Sequence, residues 1–287
     1  MKRPHIMILL MCLLIVVTGC QAEKVTQLEE TSKQKHWGVT HVVKNEHEPG
    51  EKKIKVAVLD SGIADIDELR HAISYSYNTF NDEEETNDEY GHGTMIASII
   101  AAKAKDVSVN TNVELLDIQV LNEKGQGNVE SVVKGIHKAI EQHVDIINLS
   151  IGFSNDHSAL QEAVQAAIQQ GIVVVASTGN TVGNATDYPA QYEGVLSVSA
   201  VDENNERYLY AGKGKVDIVA PGVDVPVINA ESTVEFQSGT SFATAYATGI
   251  LSLYMEKGEV IDESFLKQKT KKIGELETYG LGLLTYE

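Results

Sequence analysis

Three short segments carry residue types that could together break an acyl bond. Asp60 closes the apolar run Val56-Ala57-Val58-Leu59 and precedes Ser61-Gly62. His92 lies in Gly91-His92-Gly93-Thr94, ahead of an apolar segment from Met95 to Ala102. Ser241 lies in Gly239-Thr240-Ser241, ahead of a stretch of small residues from Ala243 to Gly249. Each alone has an ordinary structural role open to it: turn former for the aspartate, packed core residue for the histidine, helix cap for the serine. As a set they supply a nucleophile, a base and an orienting carboxylate. A serine hydroxyl attacks a carbonyl only when a neighbouring base takes its proton. The base needs a buried carboxylate to fix its tautomer and stabilise its cation. A helix starting at the serine would add positive potential beside the nucleophile.

The rest of the chain must position these residues. Apolar, β-branched runs recur at 54–59, 113–120, 145–151, 171–177, 195–201 and 216–220. Continuous apolar runs of this length predict strands buried on both faces of a parallel sheet. Between them lie segments of helical period: Val129, Val132, Val133, Ile136, Ala139 and Ile140, then Leu160, Val164, Ala167 and Ile168. Strands alternating with helices predict an α/β fold with helices on both faces. In such sheets ligands bind beyond the carboxyl ends of the strands. Asp60, Ser150 and Asn180 fall at those ends, which makes them site candidates on placement alone. The acidic stretch 81–89, just before His92, reads as a solvated loop.

The three signatures Asp60-Ser61-Gly62, His92-Gly93-Thr94 and Gly239-Thr240-Ser241, in that order, resemble the subtilase family of serine proteases, the bacterial subtilisins in particular. The likeness extends from Trp37-Gly38-Val39-Thr40 to Tyr279-Gly280-Leu281-Gly282-Leu283. It implies a three-layer α/β sandwich with a mainly parallel central sheet, and an endopeptidase working through an acyl-enzyme on Ser241, with His92 as base and Asp60 as its partner. By the same resemblance Asn180, in Gly179-Asn180, would donate its amide to the developing oxyanion, with the Ser241 backbone N–H as second donor. Ser150-Ile151-Gly152 resembles the family's substrate-binding strand and Gly125-Gln126-Gly127 the strand facing it, so an extended peptide would bind between them by strand addition. Asp187-Tyr188-Pro189 resembles a segment at the base of the S1 pocket where most bacterial subtilisins have a small residue before Tyr-Pro. A carboxylate there would favour Lys or Arg at P1, unless it turns to solvent. Asp88 and Glu89, near the expected S2 region, lean the same way.

Composition sets the boundaries. The chain has 287 residues and a formal charge of −18. That charge excludes nucleic acid and anionic membrane surfaces as partners held by charge, because phosphates would be repelled. Lys2 and Arg3 precede an apolar run from Ile6 to Val17, too short to span a bilayer comfortably. The run ends in Val17-Thr18-Gly19-Cys20, which resembles a lipoprotein lipobox and implies cleavage before Cys20 and lipid attachment to it. An ordinary secretion signal is the alternative. Residues 1–19 therefore read as a signal peptide, 20–36 as a polar tether and 37–287 as the peptidase domain, monomeric and facing outward from the cell membrane. Cys12 lies inside the signal, so no disulfide is expected in the mature chain.

Several positions depart from the family pattern. Phe242 follows the nucleophile where bacterial subtilisins usually carry an oxidisable methionine. Ala245 replaces a proline. Residues 20–36 are too few to fold as a chaperoning propeptide. The stretch 103–112 lacks the family's glycine-rich calcium loop. Glu68 stands where a ligand aspartate is often found, but the six or so oxygens that calcium needs cannot be assembled, so no metal ligand is assigned and calcium remains only a possible cofactor. The competing reading is a catalytically inactive peptide-binding lipoprotein on the same scaffold. Such a protein would be expected to have lost one of Asp60, His92, Ser241 or Asn180, and all four are present.

Overall fold

The computed structural model describes residues 37–45, 47–50 and 52–287. The predicted signal, lipidation site Cys20 and tether lie outside them. The elements in chain order are a helical segment α1 (37–42), β1 (Lys55–Asp60), β2 (Ile73–Asn78), α2 (His92–Ala101), β3 (Glu114–Gln119), α3 (Val129–Glu141), β4 (Ile146–Leu149), α4 (Ser158–Gln169) and β5 (Val173–Ser177). There follow β6 (Leu196–Val201), β7 (Ile218–Pro221), β8 (Val225–Ile228), β9 (Val234–Gln237), α5 (Thr240–Glu256), α6 (Glu263–Lys269), β10 (Thr270–Lys271), α7 (Leu276–Tyr279) and β11 (Leu283–Leu284).

Nine strands form one sheet in the order β10-β11-β7-β6-β5-β4-β1-β3-β2, parallel throughout except for the β10–β11 pair. Alternation along β1 divides the core. Val56 and Val58 join one apolar cluster with α2 and α5, while Ala57 and Leu59 join another with α3 and α4. The expected three-layer α/β sandwich, with a mainly parallel central sheet flanked by helices, is thus the observed architecture. Within it α5 is buried along most of its length. Its small residues let it lie close: a Cβ on Gly249 would come within 2.6 Å of Val109.

The six expected strands all form, each within a residue or two of its apolar run at either end. β4 ends at Leu149 rather than continuing to Ile151. Sequence reasoning missed β2, whose Ile-Ser-Tyr-Ser-Tyr-Asn alternation is that of a half-exposed edge strand, and the separate hairpin β8–β9. Among the described residues no helix is long and apolar enough to cross a membrane.

Candidate active site

Asp60 is the last residue of β1 and His92 the first of α2. The ring Nδ1 of His92 lies 2.8 Å from Asp60 Oδ1. The same oxygen accepts the Ser61 N–H at 2.8 Å. The carboxylate is 1% exposed and the imidazole 18%, so one face of the ring still reaches the surface. Burial opposes charge on His92. The Asp60 carboxylate, by charge and by hydrogen bond, together with Asp88, outweighs it and holds the imidazole pKa above its ordinary value.

The N-terminus of α2 has unpaired N–H groups that its own N-cap, Gly91, cannot satisfy. Other segments supply the acceptors. Asp88 Oδ1 takes the Gly91 N–H at 2.7 Å and Oδ2 takes the Thr94 N–H at 2.8 Å, while Ser61 Oγ takes the Gly93 N–H at 2.9 Å and donates to Asp88 Oδ1 at 2.7 Å. Ser61 and Asp88 therefore fix the helix that carries His92 against the loop that carries Asp60. This revises the expectation for Asp88. It is buried, with both oxygens engaged by the helix terminus, so it does not face a substrate. Glu89 is exposed and accepts from Asn87 Nδ2. The acidic stretch is a solvated loop only from 81 to 85; at Thr86 and Asp88 it turns inward.

Ser241 occupies the second position of α5, with Gly239 as N-cap. Its hydroxyl donates to the Ser150 carbonyl at 3.1 Å, and Ser150 Oγ donates to the Ser241 carbonyl at 3.1 Å. No hydrogen bond joins Ser241 Oγ to His92 among the described residues. The expected nucleophile–base bond is therefore not the one formed here. The imidazole is close by, its centroid 5.8 Å from that of Phe242; Asp60 holds Nδ1, and Nε2 makes no hydrogen bond among the described residues. A single χ1 rotation redirects a serine hydroxyl, and bonds of this type commonly tighten only in the substrate complex. Asn148 Nδ2 donates to Ser150 Oγ at 3.0 Å, and Thr248 Oγ1 donates to Asn148 Oδ1 at 2.9 Å. These two fully buried residues tie β4 to α5, and sequence reasoning missed both.

Asn180 follows β5 and is exposed. Its Oδ1 accepts from Thr240 N at 3.1 Å and Thr240 Oγ1 at 3.2 Å. With the oxygen held by the residue before Ser241, the amide NH₂ is turned towards the start of α5, where a Cβ on Gly239 would lie 3.2 Å from Asn180 Nδ2. The amide and the Ser241 backbone N–H at the helix terminus are thus adjacent donors, an arrangement suited to a developing oxyanion.

The segments expected to bind the peptide flank this centre. Ser150, Ile151 and Gly152 have left the sheet, and the backbone of Gly152 makes no hydrogen bond among the described residues. Gly125 sits in a turn closed by Asn122, not in a strand, with the Tyr90 ring packed where a Cβ would be, and the backbone of Gly127 also makes no hydrogen bond among the described residues. Free N–H and C=O groups are what strand addition requires. Asp187 is half-buried, wedged so closely against Gly152 and Gly179 that a side chain on either glycine would collide with it. Its carboxylate makes no hydrogen bond or ion pair among the described residues. Burial raises its pKa above the ordinary carboxylate value.

Phe242 is buried against His92, and Ala245 is fully buried. Glu68 accepts from Ser232 Oγ at 3.0 Å. Among the described residues no group of three His, Cys, Asp or Glu side chains is placed to hold a metal ion.

Residues 51–272 match the model of the Subtilase family. The alkaline protease of Alkalihalobacillus alcalophilus is 35% identical over 242 residues, which is 82% of this chain and 63% of that protein. The chain thus spans less than two thirds of that relative. Subtilisin Savinase of Lederbergia lenta is 35% identical over 242 residues, 82% of this chain and 89% of that protein. Among solved structures, the epidermin leader peptide processing serine protease of Staphylococcus aureus shares the fold, with a TM-score of 0.79 at 22% identity over 88% of this chain and 79% of that one.

Proposed function

The chain belongs to the subtilase family, and from that premise we propose that it is a serine endopeptidase. Ser241 attacks the scissile carbonyl. His92 takes the hydroxyl proton through Nε2 and returns it to the leaving amine. Asp60 holds the imidazole tautomer and stabilises its cation. The Asn180 amide and the Ser241 N–H bind the oxyanion, and water then hydrolyses the acyl-enzyme by the reverse route. The observation that carries this reading is the buried Asp60–His92 contact beside the start of α5, which carries Ser241 and is bonded to Asn180.

The free backbone at Gly127 and Gly152 supports binding of an extended peptide or protein segment, and Asp187 supports Lys or Arg at P1. A basic preference suits a protease that matures particular peptides better than one that degrades broadly. The lipobox-like segment ending at Cys20 supports export and tethering of a monomer to the outer face of the cell membrane. Covalent labelling by a fluorophosphonate tests the reading: an adduct on Ser241 that disappears in Ser241→Ala is expected. A folded chain that forms no adduct would instead be the inactive peptide-binding protein.

A further inference from the structure

One buried carboxyl near the site has no part in this mechanism. Asp117 interrupts the apolar centre of β3, between Leu115-Leu116 and Ile118, and is 1% exposed. Val58 of β1 and Ser76 of β2 are its register partners. Its neighbour two residues back, Leu115, joins the cluster containing Val56, Val58 and α2, so side-chain alternation puts Asp117 on the face of the sheet that also carries Asp60.

Its bonds go to both loops that build the catalytic pair. Asp117 Oδ2 accepts the Ile63 backbone N–H at 3.0 Å and the Thr86 hydroxyl. Ile63 lies three residues after Asp60, and Thr86 two residues before Asp88. The neighbouring residue, Ala64, donates its N–H to Thr94 Oγ1 at 2.9 Å. One oxygen thus joins the segment leaving Asp60 to the segment that caps the His92 helix. The other, Oδ1, is buried without a partner among the described residues.

We propose that Asp117 is a positioning residue for the catalytic Asp60–His92 pair, pinning the loop after β1 to the loop before α2. The charged groups facing it are Asp60 from β1 and Asp88 from the loop before α2; His92 lies beyond Asp60, and β2 offers only Ser76 in register. No ion pair holds Asp117 among the described residues. Burial, and then the two neighbouring carboxylates, push its pKa up to about 7 against the bonds from Thr86 and Ile63. The pin is therefore neutral at lower pH. Its ionisation adds negative charge beside Asp60 and favours the imidazolium.

The proposal rests on the endopeptidase reading, and the test separates the two. Concentrations of active enzyme are set by fluorophosphonate labelling of Ser241, so a chain that does not label fails on the earlier reading. kcat and KM are then measured against pH for the parent, Asp117→Ala, Asp117→Asn and Thr86→Val. In Asp117→Ala, kcat is expected to fall about 10–100-fold, the scale on which outer partners of functional groups act, while KM changes by less than about threefold. Asp117→Asn keeps an acceptor oxygen for Ile63 and Thr86, and is expected to recover most of that kcat. Without the buried charge beside Asp60, its acid limb should move to lower pH. Labelled, folded Asp117→Ala with the parent's kcat would overturn the proposal, as would an Asp117→Asn limb that coincides with the parent's. If Asp117→Ala does not fold, Asp117→Asn and Thr86→Val decide it: parental kcat in Thr86→Val with an unmoved Asp117→Asn limb overturns it.

Discussion

Replacing Asp187 by asparagine removes a charge from the candidate S1 pocket while keeping the shape that Gly152 and Gly179 have made room for. The size of the effect follows from the pocket. Two unit charges about 4 Å apart attract by about 4 kcal/mol at an effective dielectric constant of 20. Both lose water on docking, and hydrogen bonds to charged groups retain a net of about 1.5–3 kcal/mol. Asp187 is only half-buried, so solvent screening favours the lower part of that range. About 1.5–2 kcal/mol corresponds to a preference of roughly 10–30-fold in kcat/KM. The assay uses fluorogenic peptides that differ only at P1, with Arg, Lys, Leu or Phe. The parent should cleave after Arg or Lys about 10–30-fold better than after Leu, and Asp187→Asn should abolish the difference with little change in the Leu rate. The pH dependence gives a second reading. Only the ionised carboxylate discriminates, and burial has raised its pKa. The preference should therefore fade as pH falls through that raised value, and should be flat with pH in the asparagine variant. A parent that does not discriminate, or a variant that discriminates as the parent does, refutes the argument.

Asn180→Ala should lower kcat by about 10²–10³ with little effect on KM, since the amide bonds an oxygen that is charged only in the transition state; this magnitude is the one known for the equivalent donor in a subtilisin. Steady-state kinetics on one peptide amide suffices, and a purely KM effect would count against the oxyanion role. His92 works as a base only when neutral, and Asp60 holds its pKa up, so the acid limb of kcat/KM should lie above the ordinary histidine value. In Asp60→Asn only Asp88 is left to oppose burial, the limb should move to lower pH, and kcat should fall by about 10⁴. Phe242 carries no thioether beside the imidazole. Phe242→Met should therefore inactivate in dilute peroxide faster than the parent, which timed residual activity would reveal.

The sequence by itself determined the architecture and the candidate site residues. Buried parallel strands need apolar side chains on both faces, so β1, β5 and β7 are written as nearly continuous apolar runs, and helical period marks α3 and α4. Asp60, His92, Ser241 and Asn180 stand in short motifs at strand ends and helix starts, where local residue types carry the signal. What depends on pairing across the chain was decided only by the tertiary structure. Asp88 reads as one more acid in an acidic loop until folding brings it under the open N–H groups of α2. Asn148 and Thr248 are a hundred residues apart and become partners only when α5 lies along β4. Asp117 left a trace, a charge inside an apolar run, but nothing local says which atoms it will hold. Register and the approach of two loops decide that, because a buried carboxyl takes its meaning from the donors that the fold brings to it.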